Sequence, residues 1–74
     1  MEQPPGRMKV YDALKIAVQA LEDRQMMYRE DYKLTITRVD NEWVFWFVFL
    51  PATPGLDITV FVFDDGQTRF LPGL

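Results

Sequence analysis

The apolar positions of this chain begin without a period, then take a helical one, then alternate like strands almost to the end. Residues 1–8, with Pro4, Pro5 and Gly6, show no periodicity, so an irregular lead-in is expected there. From Lys9 the spacing becomes that of a helix. Val10, Ala13, Leu14, Ala17 and Leu21 fall on one side, flanked by Val18, Ile16 and Ala20, while Asp12, Lys15, Gln19, Glu22 and Asp23 gather opposite. That pattern predicts one amphipathic helix from Lys9 to Arg24, or a turn beyond it, since no glycine marks a stop among Gln25–Arg29. The alanines on its apolar stripe allow close approach to a sheet.

Beyond Tyr32 the period is two. Tyr32–Val39 alternates, and Trp43-Val44-Phe45-Trp46-Phe47-Val48-Phe49-Leu50 is aromatic or aliphatic throughout, closing on Pro51. Such β-branched and aromatic enrichment over so short a run predicts a central strand rather than a slice of buried helix. Asp40-Asn41 lies where a two-residue hairpin turn belongs. If those two residues are the turn, Val39 faces Glu42, and counting outward sets Arg38 against Trp43, Ile36 against Phe45, Leu34 against Phe47 and Tyr32 against Phe49. These pairs share one face, which the helix is expected to cover. The other face then carries Lys33, Thr35, Thr37 and Val39 beside Val48, Trp46, Val44 and Glu42.

Residues 51–56, with Pro51, Pro54 and Gly55, read as a loop. A third strand follows over 57–63, in which Ile58, Val60 and Val62 are the better set for the helix side and Thr59, Phe61 and Phe63 the better set for the outer face. Asp64-Asp65-Gly66 turns the chain into a short fourth strand over 67–71. Whether that turn has two residues, or three with a bulge, decides which way Phe70 points. The expected architecture is thus a single α+β domain over 9–74, one N-terminal helix packed on an antiparallel three- to four-stranded meander, with burial deepest at Leu14, Ala17, Leu21, Phe45 and Phe47.

Composition narrows the chemistry. With neither serine, cysteine nor histidine, the common nucleophiles and general bases are missing, so an enzyme is not expected. A zinc site would need carboxylates alone. Asp64-Asp65 before Gly66 is what a hairpin turn demands, and two adjacent aspartates fall well short of a calcium shell. Glu30-Asp31 reads as a polar entry to the first strand. No metal or cofactor is expected. The net charge is −3 and the eight basic residues are scattered, which argues against a nucleic-acid partner. No stretch approaches a membrane span, so no membrane partner is expected, and the absence of cysteine is compatible with a cytoplasmic location.

A chain of 74 residues buries a modest share of its surface and has no disulfide to help it, so a partner or self-association is the remaining support. One helix covers one face only. Val44, Trp46, Val48, Phe61 and Phe63 should therefore lie together on the outer face, and an uncovered apolar patch of that kind marks an interface. A second copy of the chain and a foreign protein are both candidates for it. If residues 51–56 or the lead-in fold over the patch, it is ordinary core. Base stacking on Trp46, Phe61 and Phe63, with Lys33 or Arg69 at phosphates, is the distant reading, since the acidic balance opposes it.

Ala13-Leu14-Lys15-Ile16-Ala17, Glu42-Trp43-Val44-Phe45, Pro54-Gly55-Leu56-Asp57 and Val60-Phe61-Val62-Phe63-Asp64-Asp65-Gly66 together invite a comparison. Over 9–71 the chain resembles the small PepSY-like and NTF2-like immunity-protein domains of bacteria. In those, an alanine-faced helix precedes a strand opening with tryptophan, and a later strand ends in aspartate and glycine. The resemblance implies a module that binds and inhibits another protein rather than a catalyst. It carries over no binding residue.

Overall fold

A computed structural model describes residues 7–73, so the expected lead-in lies outside the described residues except for Arg7 and Met8. The helix, α1, spans Val10–Asp23. Lys9 at its N-cap makes no side-chain capping bond. The end that lacked a sequence marker is nonetheless well defined. Gln25 takes φ 58°, its N–H bonds the Glu22 carbonyl at 3.0 Å, and the Met26 N–H bonds the Leu21 carbonyl at 2.8 Å. These are the paired bonds of a Schellman cap, with Met26 and Leu21 both at the core. A glutamine does there what glycine does with less strain. Gln25→Gly is expected to stabilise the domain by roughly 1 kcal/mol, read as a raised urea midpoint with an unchanged slope. A lowered midpoint would show that the left-handed residue carries no strain.

Four antiparallel strands follow in meander order: β1 (Tyr32–Val39), β2 (Glu42–Phe49), β3 (Asp57–Phe63) and β4 (Thr68–Pro72). The β1–β2 register is the one counted from a two-residue turn, Val39 opposite Glu42, Ile36 opposite Phe45 and Tyr32 opposite Phe49. Asp40, at φ 51°, supplies the left-handed first turn residue that tight hairpins need. Between β2 and β3, Pro54-Gly55 makes a tight turn with Gly55 at φ 85°, closed by the Leu56 N–H on the Thr53 carbonyl at 2.9 Å. The last turn has three residues, with Gly66 at φ 90° and the Phe63 N–H bonded to the Gln67 carbonyl at 2.8 Å. Phe70 therefore stands opposite Val60 and points to the helix side.

The core is Ala13, Ala17 and Leu21 of α1 against Phe45, Phe47 and Phe49 of β2 and Ile58, Val60 and Val62 of β3. Small residues at the point of closest approach let the helix sit low on the two central strands. That placement corrects three expectations. Leu14 is only half-buried, because Ala13 rather than Leu14 lines up with Ala17 and Leu21 along the contact, and Leu14 splays to the flank. Val10 stays 38% exposed at the start of the stripe. Ile36 has its expected partner yet is 42% exposed, since α1 packs chiefly against β2 and β3 and gives Ile36 little cover.

Candidate functional site

The face turned away from α1 is built by the strand alternation alone. With Phe45, Phe47 and Phe49 committed to the core, Val44, Trp46 and Val48 must point out from β2, and Phe61 and Phe63 must do so from β3 once Val60 and Val62 point in. Val44 lies opposite Phe61, so these two side chains are cross-strand neighbours. Trp46 heads a row of Thr35, Trp46, Thr59 and Leu71 across all four strands. It is 45% exposed, Leu71 is 58% exposed, and Val44, Val48, Phe61 and Phe63 are half-buried by their neighbours within the sheet. Residues 51–55 are exposed rather than folded over this face.

Two contacts fix its aromatic rings. Trp46 Nε1 donates to Asp57 Oδ2 at 2.9 Å, a diagonal reach from β2 to the start of β3. A Cβ on Gly73 would run into the Asp57 side chain, so glycine at that position leaves the carboxylate free to hold the indole. The Arg69 guanidinium lies 4.3 Å from the centre of the Phe61 ring, a cation–π stack that covers one side of it. The face thus has an oriented tryptophan at its middle, an acid at one margin and a cation at the other. Glu42 sits in the same row as Val39 and Phe63, and its Oε1 is enclosed without a donor. That acceptor burdens the face rather than supporting it.

A second cluster lies on the helix side of the β1–β2 turn. Arg38 Nη1 and Nη2 donate to Asp64 Oδ1 and Oδ2 at 2.9 and 2.8 Å, a two-pronged pair with little solvent on either partner. Asp64 Oδ1 also accepts the Met8 N–H at 3.1 Å, and Trp43 Nε1 donates to the Met8 carbonyl at 2.7 Å. The Arg38 guanidinium holds the Asp64 carboxyl down from 3.8 to about 2, with the Met8 N–H assisting and partial burial opposing. Asp64 thus belongs to a clamp that ties Met8 to the sheet, in addition to opening the last turn.

Of the residues singled out beforehand, all five on the outer face share that face. Arg69 lies there too, named from the sequence only as a phosphate contact in the base-stacking reading, whereas Asp57 and Leu71 were not anticipated there. Leu71 depended on the unresolved turn length, while Asp57 gave no signal beyond being a charge at a strand end. Among the described residues no group of three or more carboxylates is close enough to hold a metal ion, and no helix is long and apolar enough to cross a membrane. Two concave surfaces among the described residues are shallow and lie beside the helix, one lined by Ile16, Gln19, Ala20 and Thr68 and the other by Val18, Met27, Tyr28 and Tyr32. No protein family matches this chain, and no curated protein or solved structure matches it.

Proposed function

We propose that this domain is a small non-catalytic protein-binding module, of the inhibitor or immunity type, working in the cytoplasm through Val44, Trp46, Val48, Phe61 and Phe63. The observation that carries the reading is Trp46, half out of its sheet yet tethered by Asp57. A large ring already held in one orientation loses little freedom when a partner packs on it, and tryptophans so placed dominate binding energies. The half-buried Val44 and Phe61 supply an apolar surround, with Asp57, Arg69 and Lys33 as a polar rim.

The test is capture by the immobilised parent and by Trp46→Glu, with melting curves for both. A polypeptide retained by the parent and lost at least about tenfold on substitution, with Trp46→Glu still folded, is the expected result. Equal retention by both proteins would sink the reading. A parent dimer that Trp46→Glu turns into a folded monomer would instead assign the face to a second copy.

A further inference from the structure

The two edges of the sheet are unlike. At β4 the outward backbone positions are Thr68, Phe70 and Pro72, and the proline has no N–H to offer, so that edge is short and blunted. At β1 the bond from the Leu50 N–H to the Asp31 carbonyl, 2.9 Å, fixes the alternation. Asp31, Lys33, Thr35, Thr37 and Val39 turn their backbone groups toward β2, so the N–H and C=O of Tyr32, Leu34, Ile36 and Arg38 point away from the sheet. Among the described residues nothing pairs with them. Eight residues of edge without a proline or a bulge are an open template for another strand.

We propose that β1 pairs antiparallel with β1 of a second copy, about a two-fold axis through Thr35, joining two four-stranded sheets into one. An axis perpendicular to the sheet keeps both helices on the same side, so helix-side residues must oppose helix-side residues. Centring on Thr35 then sets Tyr32 against Arg38 and Leu34 against Ile36, each twice by symmetry. All four outward residues of both copies are paired, with about eight main-chain hydrogen bonds. Centring on Ile36 would send Tyr32 against Asp40 in the turn, and centring on Leu34 would send Arg38 against Glu30 ahead of the strand. Either shift drops the count to about six.

The side chains agree with the same register. Ile36, 42% exposed, gains the flank of Leu34, and the ring of Tyr32, 36% exposed, lies beside the aliphatic stem of Arg38, whose guanidinium stays on Asp64. On the outer face Thr35 meets Thr35 and Lys33 meets Thr37. A lysine on an edge strand usually deters pairing, but Lys33 and Arg38, the cations of β1, each face a neutral residue, so no like charges oppose within the paired strands, and Glu30 meets Asp40 only beyond their ends. The outer faces of the two copies run on into one surface across the axis. One strand pair buries less than the ~1,200 Å² of durable complexes, so the dimer is concentration-dependent.

This pairing uses none of the five apolar residues assigned above to partner binding and shares with that face only Lys33 of its rim, so either reading stands without the other. The absence of cysteine makes a register-specific test available. Across the axis the Thr35 pair is the non-hydrogen-bonded kind, with Cα atoms about 4.5 Å apart, which a disulfide spans. In a glutathione buffer Thr35→Cys is expected to form a covalent dimer at least about tenfold faster than Thr37→Cys, which would face Lys33. Adding Ile36→Pro removes an outward N–H that β2 does not use and should abolish the cross-link while the circular dichroism is kept. If that variant does not fold, Thr35→Lys, at an exposed position, should lower the dimer fraction in sedimentation of the otherwise unmodified chain. Equal cross-linking at the two positions would overturn the proposal, as would cross-linking that survives Ile36→Pro. So would a parent that stays monomeric at millimolar concentration, which would leave the edge to a foreign strand. A dimer lost with Trp46→Glu but kept with Thr35→Lys would place self-association on the outer face instead.

Discussion

Phe47→Ala is expected to leave the domain largely unfolded at room temperature. The Phe47 side chain is fully buried, its ring 6.4 Å from that of Phe49 and 5.2 Å from that of Tyr32. Truncating a buried phenylalanine costs about 3–5 kcal/mol through lost transfer energy and the cavity left behind. A core in a domain this short supplies about 3–5 kcal/mol of net stability in all, so the substitution removes most or all of it. The control is Ile36→Ala one strand away, on the same nominal face but outside the cover of α1. It should cost less than about 1 kcal/mol. Urea titrations followed by circular dichroism check both. A Phe47→Ala protein melting within about 2 °C of the parent would refute the core assignment. An Ile36→Ala protein as damaged as Phe47→Ala would refute the placement of the helix over β2 and β3.

The contrast between Phe47 and Ile36 also separates what could be read in the sequence from what could not. The hairpin was legible because Asp40-Asn41 fixes the turn, and the turn fixes every pair from Val39–Glu42 back to Tyr32–Phe49. The inward set of β3 was legible because Ile58, Val60 and Val62 are aliphatic while the alternate positions include a threonine. The position of α1 across the sheet was not. Alternation says which side of a strand a residue occupies, and nothing in it says how far sideways a single helix lies. That distance goes with Ala13 and Ala17, which let the helix sit on the middle strands and leave Ile36 exposed at the edge.

The candidate face was legible to the same extent and for the same reason. Val44, Trp46, Val48, Phe61 and Phe63 follow from strand parity, so placing them together required only the strands. The groups that orient them did not follow. Asp57 reaches Trp46 because β3 starts opposite Val48, and the length and shape of the loop over 50–56 decide that. Arg69 lies on Phe61 because the last turn has three residues, with Gly66 in the left-handed region. Each depends on a turn conformation rather than on a pattern of hydrophobicity.

The Arg38–Asp64 clamp was the least legible of all, since its partners are 26 residues apart and Asp64 already had a sufficient explanation as a turn residue. Its effect should appear in acid. In the folded chain the Asp64 carboxyl titrates near about 2 instead of 3.8. Above the ordinary value the folded and unfolded chains both carry this carboxylate ionised, and its full contribution to stability is present. As the pH falls from about 4 toward 2 the unfolded chain takes up the proton first, so stability drops across that window, and below it the contribution is gone. Other carboxylates titrate there too, so the quantity to measure is the difference between the parent and Asp64→Asn. The variant keeps the shape of the side chain but leaves Arg38 without its counter-charge. It should melt below the parent at neutral pH, and the gap between them should close as the pH approaches 2. Trp43, whose indole holds the Met8 carbonyl beside the same carboxylate, should change its emission as the clamp opens. A gap that stays constant from pH 6 to pH 2 would show that the lowered carboxyl adds nothing to folding, and the tie between Met8 and the sheet would then rest on Trp43 alone.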